Sequence, residues 1–400
     1  MIKRKTFQPT TERTSTLTER RNLKMARSAH AYVRGNTVKF YEWLSTANGL
    51  KVPQGPAVWI CGDCHVGNLG PIANAKGQID IQIRDLDQTV IGNPAHDLIR
   101  LGLSLASAAR GSDLPGVTTA KILEQMVEGY EQAFIDVEKG REENIVLPES
   151  VKVAMKSALK RKWKHLAKER IDNVDPIIPL GKKFWPLSKQ EKRDIKKLFQ
   201  DERVRRLVTS LRSRDDNASV DVLDAAFWMK GCSSLGYLRY AVLLRIGGKG
   251  GEMCLMDIKE AVQAAAPRHK KSKMPTDNAE RVVQGAWHLS PALGTRMLAA
   301  HIQDRAVFLR ELLPQDLKFE ISHISRDEAM KAAKFLALVI GKAHARQMDS
   351  KMQNKWKKEL GLHRSKTVDA PSWLWSSVVD LVVSHEGAYL EHCRKYASNI

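Results

Sequence analysis

The chain has 400 residues, 43% of them hydrophobic and 28% charged, which predicts a packed globular core in two or three domains. Its formal net charge of +20 attracts anions such as nucleotides, nucleic acid, anionic lipid or an acidic protein, and it does not choose among them. Five cysteines are too few for a disulfide scaffold, and the sequence shows neither a secretory pattern nor an apolar run of about eighteen residues, so we expect a cytoplasmic protein without a membrane span.

The N-terminal part of the chain is predicted to be helical apart from two strands. Residues 1–57 have a mostly helical pattern. The apolar run P-A-V-W-I-C at 56–61 is typical of a buried strand, and the alternating run I-D-I-Q-I-R at 79–84 is typical of a second strand. The segment between them contains Gly70 and Pro71, which predicts a loop.

The rest of the chain changes character twice. From residue 94 to about residue 214, apolar residues recur at three- and four-residue spacing, which predicts helices with a break near 175–181. Positive charge is concentrated between 152 and 214, which is most simply a solvated helix face. Short strands separated by glycine-containing turns follow. These strands are predicted at 225–231, 237–246, 253–259 and 306–313, with a helix at 278–289, and the last part of the chain is again helical.

This order of elements predicts an α+β fold, in which a large helical lobe is interrupted in sequence by a small antiparallel sheet lobe. We expect a first helical segment at 1–215 that carries the catalytic and metal-binding loops. The sheet lobe should occupy 216–320, and a helical segment at 321–400 should return to the large lobe.

The stretch W-I-C-G-D-C-H-V-G-N-L-G at 59–70 permits two different chemistries. Cys61, Cys64 and His65 match C-x-x-C-H, the attachment pattern of c-type haem, but that cofactor requires export and no export signal is found. Zinc needs about four ligands, and the sequence has no second C-x-x-C pair. A redox-active pair would favour the start of a helix over the end of a strand. We therefore expect two small, semi-buried cysteines.

The same stretch also fits phosphoryl transfer. That reaction needs a carboxylate near the acceptor hydroxyl, oxygen ligands for Mg²⁺, and cations or amides on the phosphates. Asp63 and Asn68 are five positions apart on one predicted loop, so the carboxylate can face an acceptor while the amide oxygen turns to a metal. Asp85 and Asp87 follow the next strand and are further candidate metal ligands. His65 is either a residue that supports the loop or a second catalytic candidate.

These motifs resemble the catalytic core of aminoglycoside and choline phosphotransferases, which belong to the protein-kinase-like superfamily. C-G-D-C-H-V-G-N, followed by I-R-D-L-D-Q-T-V-I-G-N-P-A-H-D-L, is similar to their H-G-D-x-H-x-x-N, I-D-W/F and G-x-P-x-x-D-L motifs. The resemblance implies that Asp63 is the catalytic base and that Asn68 and Asp85 bind magnesium. It also implies that Asp97 ties the loop to the following helix. The chain departs from the pattern at Cys61, where the family has a histidine that supports the loop.

In a kinase-like fold the sheet lobe precedes the catalytic motif, whereas here its motifs come later, in circularly permuted order. The segment G-C-S-S-L-G at 231–236 resembles the glycine-rich phosphate loop, and Lys259, in C-L-M-D-I-K-E-A, resembles the lysine that contacts ATP. Glu280 is expected to pair with that lysine. Glu311, in F-L-R-E-L, lies in a segment that resembles the strand before the adenine-binding hinge. The predicted nucleotide-binding residues are Gly231, Ser233, Ser234, Gly236, Lys259, Glu280 and Glu311.

The permuted order also resembles an uncharacterised bacterial group, the domain of unknown function 2252 family. The pieces that carry this resemblance include K-M-x-x-S-x-x-A-Y-x-R-G at 24–35, W-I-C-G-D-C-H-x-G-N and G-K-A-H-A-R. It covers nearly the whole chain and implies a kinase-like fold without a known substrate. Arg34, in the first of these pieces, is either a structural ion-pair partner or a contact to a substrate.

The sequence therefore predicts a two-lobed, circularly permuted protein-kinase-like fold. The predicted activity is ATP- and magnesium-dependent phosphoryl transfer to a hydroxyl of an unknown small molecule or protein, and an anionic acceptor would suit the +20 charge. A kinase-like nucleotidyltransferase and a nucleotide-binding pseudoenzyme stay open as alternatives. A basic nucleic-acid-binding protein also stays open, although no helix-turn-helix or aromatic-basic RNA motif stands out.

Overall fold

The computed structural model of the chain describes residues 10–46, 48–112, 114–139, 147–171, 177–211, 214–317, 325–362, 364 and 368–396. The predicted mixture of helices and small antiparallel sheets is confirmed. The helices are α1 (Thr10–Met25), α2 (Ala29–Gly35), α3 (Thr37–Leu44), α4 (Pro94–Arg110), α5 (Gly116–Lys139), α6 (Glu149–Lys160), α7 (Trp163–Arg170), α8 (Lys189–Leu198), α9 (Glu202–Thr209), α10 (Asn278–Leu289), α11 (Pro291–Gly294), α12 (Arg326–Ala345), α13 (Ser350–Gly361) and α14 (Ser372–Tyr396). The strands are β1 (Val58–Ile60), β2 (Leu69–Ala73), β3 (Ile79–Ile83), β4 (Val90–Gly92), β5 (Phe184–Trp185), β6 (Val220–Trp228), β7 (Arg239–Ile246), β8 (Glu252–Glu260), β9 (Met297–Ile302) and β10 (Arg305–Glu311).

The helical part of the molecule is built around α4, which packs against α5, α12 and α14. Asn93 caps its first turn by accepting a hydrogen bond from the N–H of Ala95 at 3.0 Å, and Pro94 is its first residue. Most of the helix is buried, including two charged residues, Asp97 and Arg100. Both of them contact the loop that follows β1, so α4 is the base on which that loop rests.

Two short antiparallel ladders hold the candidate loops together. β1 pairs with β4, and β2 pairs with β3, so the β1–β2 and β3–β4 loops are parts of one unit. The two predicted strands are confirmed by β1 and β3, but the prediction of a loop throughout the segment between them is wrong. Gly70 pairs with Gln82 and Pro71 with Ile81 in β2. Proline is tolerated there because β2 has a partner strand on one side only.

The larger sheet has six strands in the order β5-β6-β7-β8-β10-β9, with every pair antiparallel. β6, β7, β8, β10 and helix α10 confirm the predicted elements, whereas β9 was not predicted. β5 lies inside the segment at 1–215 that was predicted to be helical. In the centre of the sheet, Lys259 of β8 lies opposite Arg239 of β7 and Phe308 of β10.

The two faces of this sheet are covered differently. One face packs on α1, α8 and α9. On the other face, Leu243 and Leu255 pack with Leu166 of α7. Because alternate side chains point to the same face, Asp257 and Lys259, which follow Leu255 along β8, also lie on this second face. The second face is therefore apolar where α7 covers it and charged beyond that helix.

The C-terminal segment is helical, as predicted, and contains α12, α13 and α14. Its predicted first residue, 321, lies outside the described residues. The proposed boundaries at 215 and 320 stay predictions.

Candidate active site

The loop between β1 and β2 is fixed by a buried carboxylate. Asp97 accepts hydrogen bonds from the N–H groups of Cys61 at 2.7 Å and Gly62 at 2.9 Å, which confirms the predicted tie to α4. Gly62 has a φ of +75°, and a Cβ there would meet the carbonyl oxygen of Gln88 at 2.1 Å, so this turn requires glycine. His344 of α12 reaches the same carboxylate, with Nε2 3.2 Å from Oδ2. A buried histidine from a distant helix therefore supports the loop, although the loop itself carries Cys61.

Asp63, the candidate base, is buried and is held on one side by Arg100. Its Oδ1 accepts a hydrogen bond from Nε of Arg100 at 2.9 Å, and its Oδ2 lies 3.9 Å from Nε2 of His65. Burial raises the pKa of Asp63, against the opposing effect of Arg100. Burial and the neighbouring Arg34 lower the pKa of His65 well below its ordinary value, so this imidazole is neutral at neutral pH. Oδ2 of Asp63 is thus the oxygen that is left to take a proton.

Asn68 links the two candidate loops. Its Nδ2 donates to the carbonyl oxygen of Asp63 at 2.9 Å and to that of Asp85 at 3.4 Å. Because the amide hydrogens are used in this way, Oδ1 is the end of the side chain that is left for a cation. The side-chain amide of Asn68 therefore lies next to the backbone of Asp85, and its role as a metal ligand stays a prediction.

Asp85, Asp87 and Lys259 form a compact ionic group, which we call the acid–lysine centre. Nζ of Lys259 lies 3.2 Å from Oδ1 and 3.4 Å from Oδ2 of Asp85, and it also donates to Oδ2 of Asp87. Burial and the charge of Asp85 raise the pKa of Asp87 to about 7. Burial acts in the same direction on Asp85, but Lys259 outweighs it and holds the pKa of Asp85 well below its usual value. One lysine therefore faces two carboxylates that differ in proton affinity.

The residues at this centre fit a magnesium ion. Oδ1 of Asp87 is buried and has no hydrogen-bond partner in the part of the chain that the structure describes, while the side chain of Asp85 is 46% exposed. Within the same residues, no group of three His, Cys, Asp or Glu side chains is placed to hold a metal by itself. Mg²⁺ commonly takes one or two carboxylates and completes its shell with water and phosphate oxygens. The carboxylates of Asp85 and Asp87, together with Oδ1 of Asn68, therefore suit a magnesium–phosphate complex.

The 231–236 loop lies across the cavity from these acids. Gly231 and Gly236 have φ values of +99° and +108°, a backbone region that glycine adopts without strain. Nζ of Lys24 donates to the carbonyl oxygen of Gly231 at 2.6 Å, so helix α1 holds the start of the loop. The hydroxyl of Ser234 donates to the carbonyl oxygen of Lys230 at 3.4 Å.

A cavity of about 530 Å³ joins the β1–β2 loop, the two aspartates and the 231–236 loop. The predicted site residues that line it are Asp63, His65, Asn68, Asp85, Asp87, Gly231, Ser233 and Ser234. Eight lysines and arginines line it against three aspartates, and they are Lys24, Arg34, Arg84, Arg170, Lys183, Lys230, Arg239 and Arg310. A concave site with this excess of positive charge concentrates anions.

Glu280 does not take the predicted place beside Lys259. It lies in the first turn of α10, where its N–H donates to Oδ1 of Asp277 at 2.9 Å and its side chain is exposed. Lys259 instead forms ion pairs with Asp85 and Asp87, so the predicted Glu280–Lys259 pair is wrong. The turn that begins α10 directs Glu280 to solvent, and two acids that are closer to Lys259 satisfy its charge.

Glu311 and Gly236 also lie outside the lining of this cavity. Glu311 is buried at the end of β10, where it accepts a hydrogen bond from Nη1 of Arg214 at 2.6 Å. It lines a second cavity, of about 550 Å³, together with Trp163 and Leu313. Lys259 is itself buried behind Asp85 and Asp87 and is outside the lining, but it contacts both acids, whereas the position of Glu311 supports no role in the first cavity.

Cys61 and Cys64 are more deeply buried than expected, and neither is in a disulfide. Burial raises the pKa of the Cys64 thiol well above its ordinary value. The thiol of Cys61 donates to the carbonyl oxygen of Asp85 at 3.7 Å. Buried, protonated thiols are chemically inert, so these cysteines serve packing, as the sequence suggested.

Sequence reasoning missed most of the cations in the cavity. Lys230 directly precedes the 231–236 loop, and this position could have marked it as a candidate. Arg100, which holds Asp63 from below the cavity lining, lies seven residues beyond the cap of α4 and offers no motif. Arg170 and Arg239 come from a helix and a strand whose approach to the cavity is not encoded in local spacing.

Fold and site together define an α+β protein with a cation-rich cavity, which the two aspartates of the acid–lysine centre line. A family model described as an uncharacterized protein conserved in bacteria (DUF2252) matches residues 13–395, and the chain belongs to this family. None of the curated proteins and none of the solved structures matches the chain. Among the described helices, none combines the length and the apolar character that crossing a membrane requires.

Proposed function

We propose that this chain is an ATP- and magnesium-dependent phosphotransferase of the protein-kinase-like type, with circularly permuted motif order, that acts on a hydroxyl group. The observation that carries the proposal is the contact of Lys259 with Asp85 and Asp87, from which it is separated by 174 and 172 positions in sequence. Asp63 and Asn68 lie on the adjoining loop and line the same cavity as the two aspartates. A phosphate-binding lysine, metal-binding oxygens and a carboxylate for the acceptor are the parts that phosphoryl transfer requires.

Asp63 is the residue proposed to receive the proton of the acceptor. The acceptor oxygen forms a bond to the γ-phosphorus of ATP, and the bond between that phosphorus and its bridging oxygen breaks, so ADP leaves with the bridging oxygen. The hydroxyl proton passes to Oδ2 of Asp63, while Arg100 holds Oδ1. The raised pKa of Asp63 favours this role because a base works best when its pKa approaches the operating pH.

Lys259 and the 231–236 loop are proposed to bind the phosphates. Lys259 forms ion pairs with two aspartates, and its three Nζ hydrogens allow it to donate to a phosphate oxygen as well. Asn68, Asp85 and Asp87 are the residues that would hold magnesium, whose charge offsets that of the phosphate oxygens when it is bound. Lys24 keeps the 231–236 loop in place through the carbonyl oxygen of Gly231.

The test is transfer of label from γ-labelled ATP to metabolite and protein fractions of a bacterial extract, with and without Mg²⁺. We expect Mg²⁺-dependent labelling with release of ADP. The Asp63→Asn variant should lower the rate about 10²- to 10⁴-fold, the usual contribution of a general base. Asp216→Asn is the matched control, because Asp216 is exposed in a turn outside the cavity and its loss should leave the rate unchanged.

Three outcomes would contradict the proposal. Transfer of AMP instead of the γ-phosphate would indicate a nucleotidyltransferase. Labelling that persists in Asp63→Asn would remove Asp63 from the mechanism. Salt-dependent binding of DNA or RNA without any consumption of ATP would favour a nucleic-acid-binding protein.

A further inference from the structure

A group of cations surrounds one tryptophan at the sheet side of the cavity. Nζ of Lys230 lies 4.1 Å from the centre of the Trp228 ring, Cζ of Arg239 lies 5.1 Å from it and Cζ of Arg170 lies 5.7 Å from it. The ring of Phe184 stacks against Trp228 at 5.6 Å and fixes its position. We call Trp228, Arg170, Lys230 and Arg239 the Trp228 cluster, and all four residues line the cavity.

The positive charge of this cluster is only partly neutralised within the protein. Asp257 is 1% exposed and accepts two hydrogen bonds from Arg239, at 2.8 Å and 2.5 Å. The same carboxylate lies 3.6 Å from Nε of Arg310. Neither Lys230 nor Arg170 has a carboxylate within ion-pair distance among the described residues. At least two cations therefore face the cavity without an acid of their own.

We propose that the Trp228 cluster is an anion subsite of the cavity, and that it binds a phosphate group of a small-molecule reactant. This phosphate lies against Lys230 and Arg170. This inference rests on the proposed function in treating the ligand as a reactant of the same cavity, but the binding itself requires no catalysis.

The chemistry of the sheet face favours phosphates over an apolar group at this subsite. Where the face is apolar, Leu243 and Leu255 are already covered by Leu166 of α7. The part that is left to a ligand carries Arg239 and Lys230. Several cations held at short range bind a group with two negative charges and several acceptor oxygens better than a single carboxylate.

The state of Lys230 supports this assignment. Burial and the neighbouring cations Arg239, Arg310 and Arg170 lower the pKa of Lys230 well below its ordinary value, and Asp257 acts in the opposite direction. An anion bound beside Lys230 favours the charged ammonium. Binding of a phosphate at the Trp228 cluster should therefore raise the pKa of Lys230, with uptake of a proton at any pH between the free and the bound pKa.

The test is calorimetric titration of the full chain with inorganic tripolyphosphate and with inositol hexakisphosphate, in EDTA and at about 0.15 M salt. We expect both compounds to bind, and Lys230→Gln and Arg170→Gln each to weaken the binding at least tenfold. Lys249→Gln is the matched control, since Lys249 is exposed in the β7–β8 hairpin. Circular dichroism of each variant shows whether it folds, and the partly exposed Arg170 provides a variant that leaves the interior intact.

Proton uptake separates a site at Lys230 from general attraction to a basic surface. Titrations at several pH values between about 7 and 10, in pairs of buffers of different ionisation enthalpy, should show a pH range in which the wild type takes up more protons than Lys230→Gln. Equal affinity in the wild type, Lys230→Gln and Arg170→Gln would overturn the inference. Loss of affinity in these two variants, in a protein that fails to transfer label from ATP, would reject the proposed function and keep the anion subsite.

Discussion

Two groups of charged residues at the cavity differ in their ion pairs. In the acid–lysine centre, Lys259 forms ion pairs with two carboxylates, those of Asp85 and Asp87. In the Trp228 cluster, the carboxylate of Asp257 pairs with Arg239 and Arg310 and also acts on Lys230. One cation is thus shared by two acids in the first group, whereas one acid is shared by several cations in the second.

This difference shows how a strongly basic chain can create a selective site. A net charge of +20 attracts many anions without distinguishing them. If the acid–lysine centre binds a metal and the Trp228 cluster binds phosphate, as proposed, the cavity would select ligands that carry both. Variants that alter one group at a time separate the contribution of the acid–lysine centre from that of the Trp228 cluster.

Removing the acid of the Trp228 cluster should have the largest effect on stability. Asp257→Asn leaves Arg239 and Arg310 buried without a counter-charge, and breaking such a pair costs about 3–5 kcal/mol of unfolding free energy. Asp221→Asn, on β6 of the same sheet, is the matched control, because its ion pair with Arg245 is exposed and is worth about 0–1 kcal/mol. Urea unfolding measures both values. Equal losses in the two variants would show that the cluster does not depend on Asp257.

Asp257 should also make the unfolding free energy depend on pH in the acid range. Burial acts to raise the pKa of Asp257, but Arg239 and Lys230 outweigh it and hold that pKa well below its usual value. A depressed carboxyl pKa contributes stability above the unfolded value of about 4, and this contribution is lost as the pH falls further. The difference in unfolding free energy between wild type and Asp257→Asn should therefore shrink below about pH 4.

Removing the cation of the acid–lysine centre should have a smaller effect that magnesium reverses. Lys259→Met leaves Asp85 and Asp87 facing each other, at a cost of about 1–3 kcal/mol, less than for a fully buried pair because Asp85 is 46% exposed. Mg²⁺ should then raise the melting temperature of Lys259→Met, with Lys249→Met as the control for loss of a lysine. A melting temperature that does not respond to Mg²⁺ would contradict the assignment of these acids to a metal.

Magnesium binding to the unmodified chain should depend on pH. Because the pKa of Asp87 is raised to about 7, a proton competes with the metal below that pH. Affinity for Mg²⁺ alone should rise up to about tenfold per pH unit below pH 7 and then level off. Calorimetry between pH 6 and 8 measures this, and Asp87→Asn should remove most of the dependence. A flat profile in the wild type would show that Asp87 does not bind the metal.

Removing one cation from the Trp228 cluster should have little effect on the free protein or stabilise it slightly. Lys230→Gln relieves repulsion from Arg170 and Arg239 and loses the contact with Trp228, so we expect a gain of about 0.5 kcal/mol or less at neutral pH. A lysine whose folded pKa is depressed makes stability rise with pH up to its unfolded pKa of about 10.4. In Lys230→Gln, the unfolding free energy should lack the increase with pH that Lys230 causes in the wild type. A marked loss of stability in Lys230→Gln would indicate a structural role instead.

The parts of the site that sequence predicted are those set by local spacing. Asp63 and Asn68 share one loop, and Asp85 and Asp87 follow one strand, so the strand pattern was sufficient to place them together. β2 was missed because Gly70 and Pro71 usually interrupt a strand, whereas the pairing with β3 accommodates both.

The parts that sequence could not predict depend on how distant elements pack. Arg170 reaches Trp228 because α7 lies on the second face of the sheet, and no periodicity in either segment encodes that contact. His344 reaches Asp97 from a helix almost two hundred and fifty positions away. Charge composition indicated an anionic ligand, but only the fold locates the cations that would bind it.

Substitution of Glu280 should have the smallest effect, and it tests whether Glu280 stays apart from Lys259 as the structure shows. Sequence placed it beside Lys259, whereas the structure places it at the exposed start of α10. Glu280→Gln should change the unfolding free energy by about 0.5 kcal/mol or less, the range of a surface charge near a helix start, and should leave phosphoryl transfer unchanged. Lys259→Met should reduce transfer strongly in the same labelled-ATP assay. Equal losses of transfer in the two variants would show that Glu280 joins Lys259 once ligands are bound, and would restore the pairing that the structure rejects.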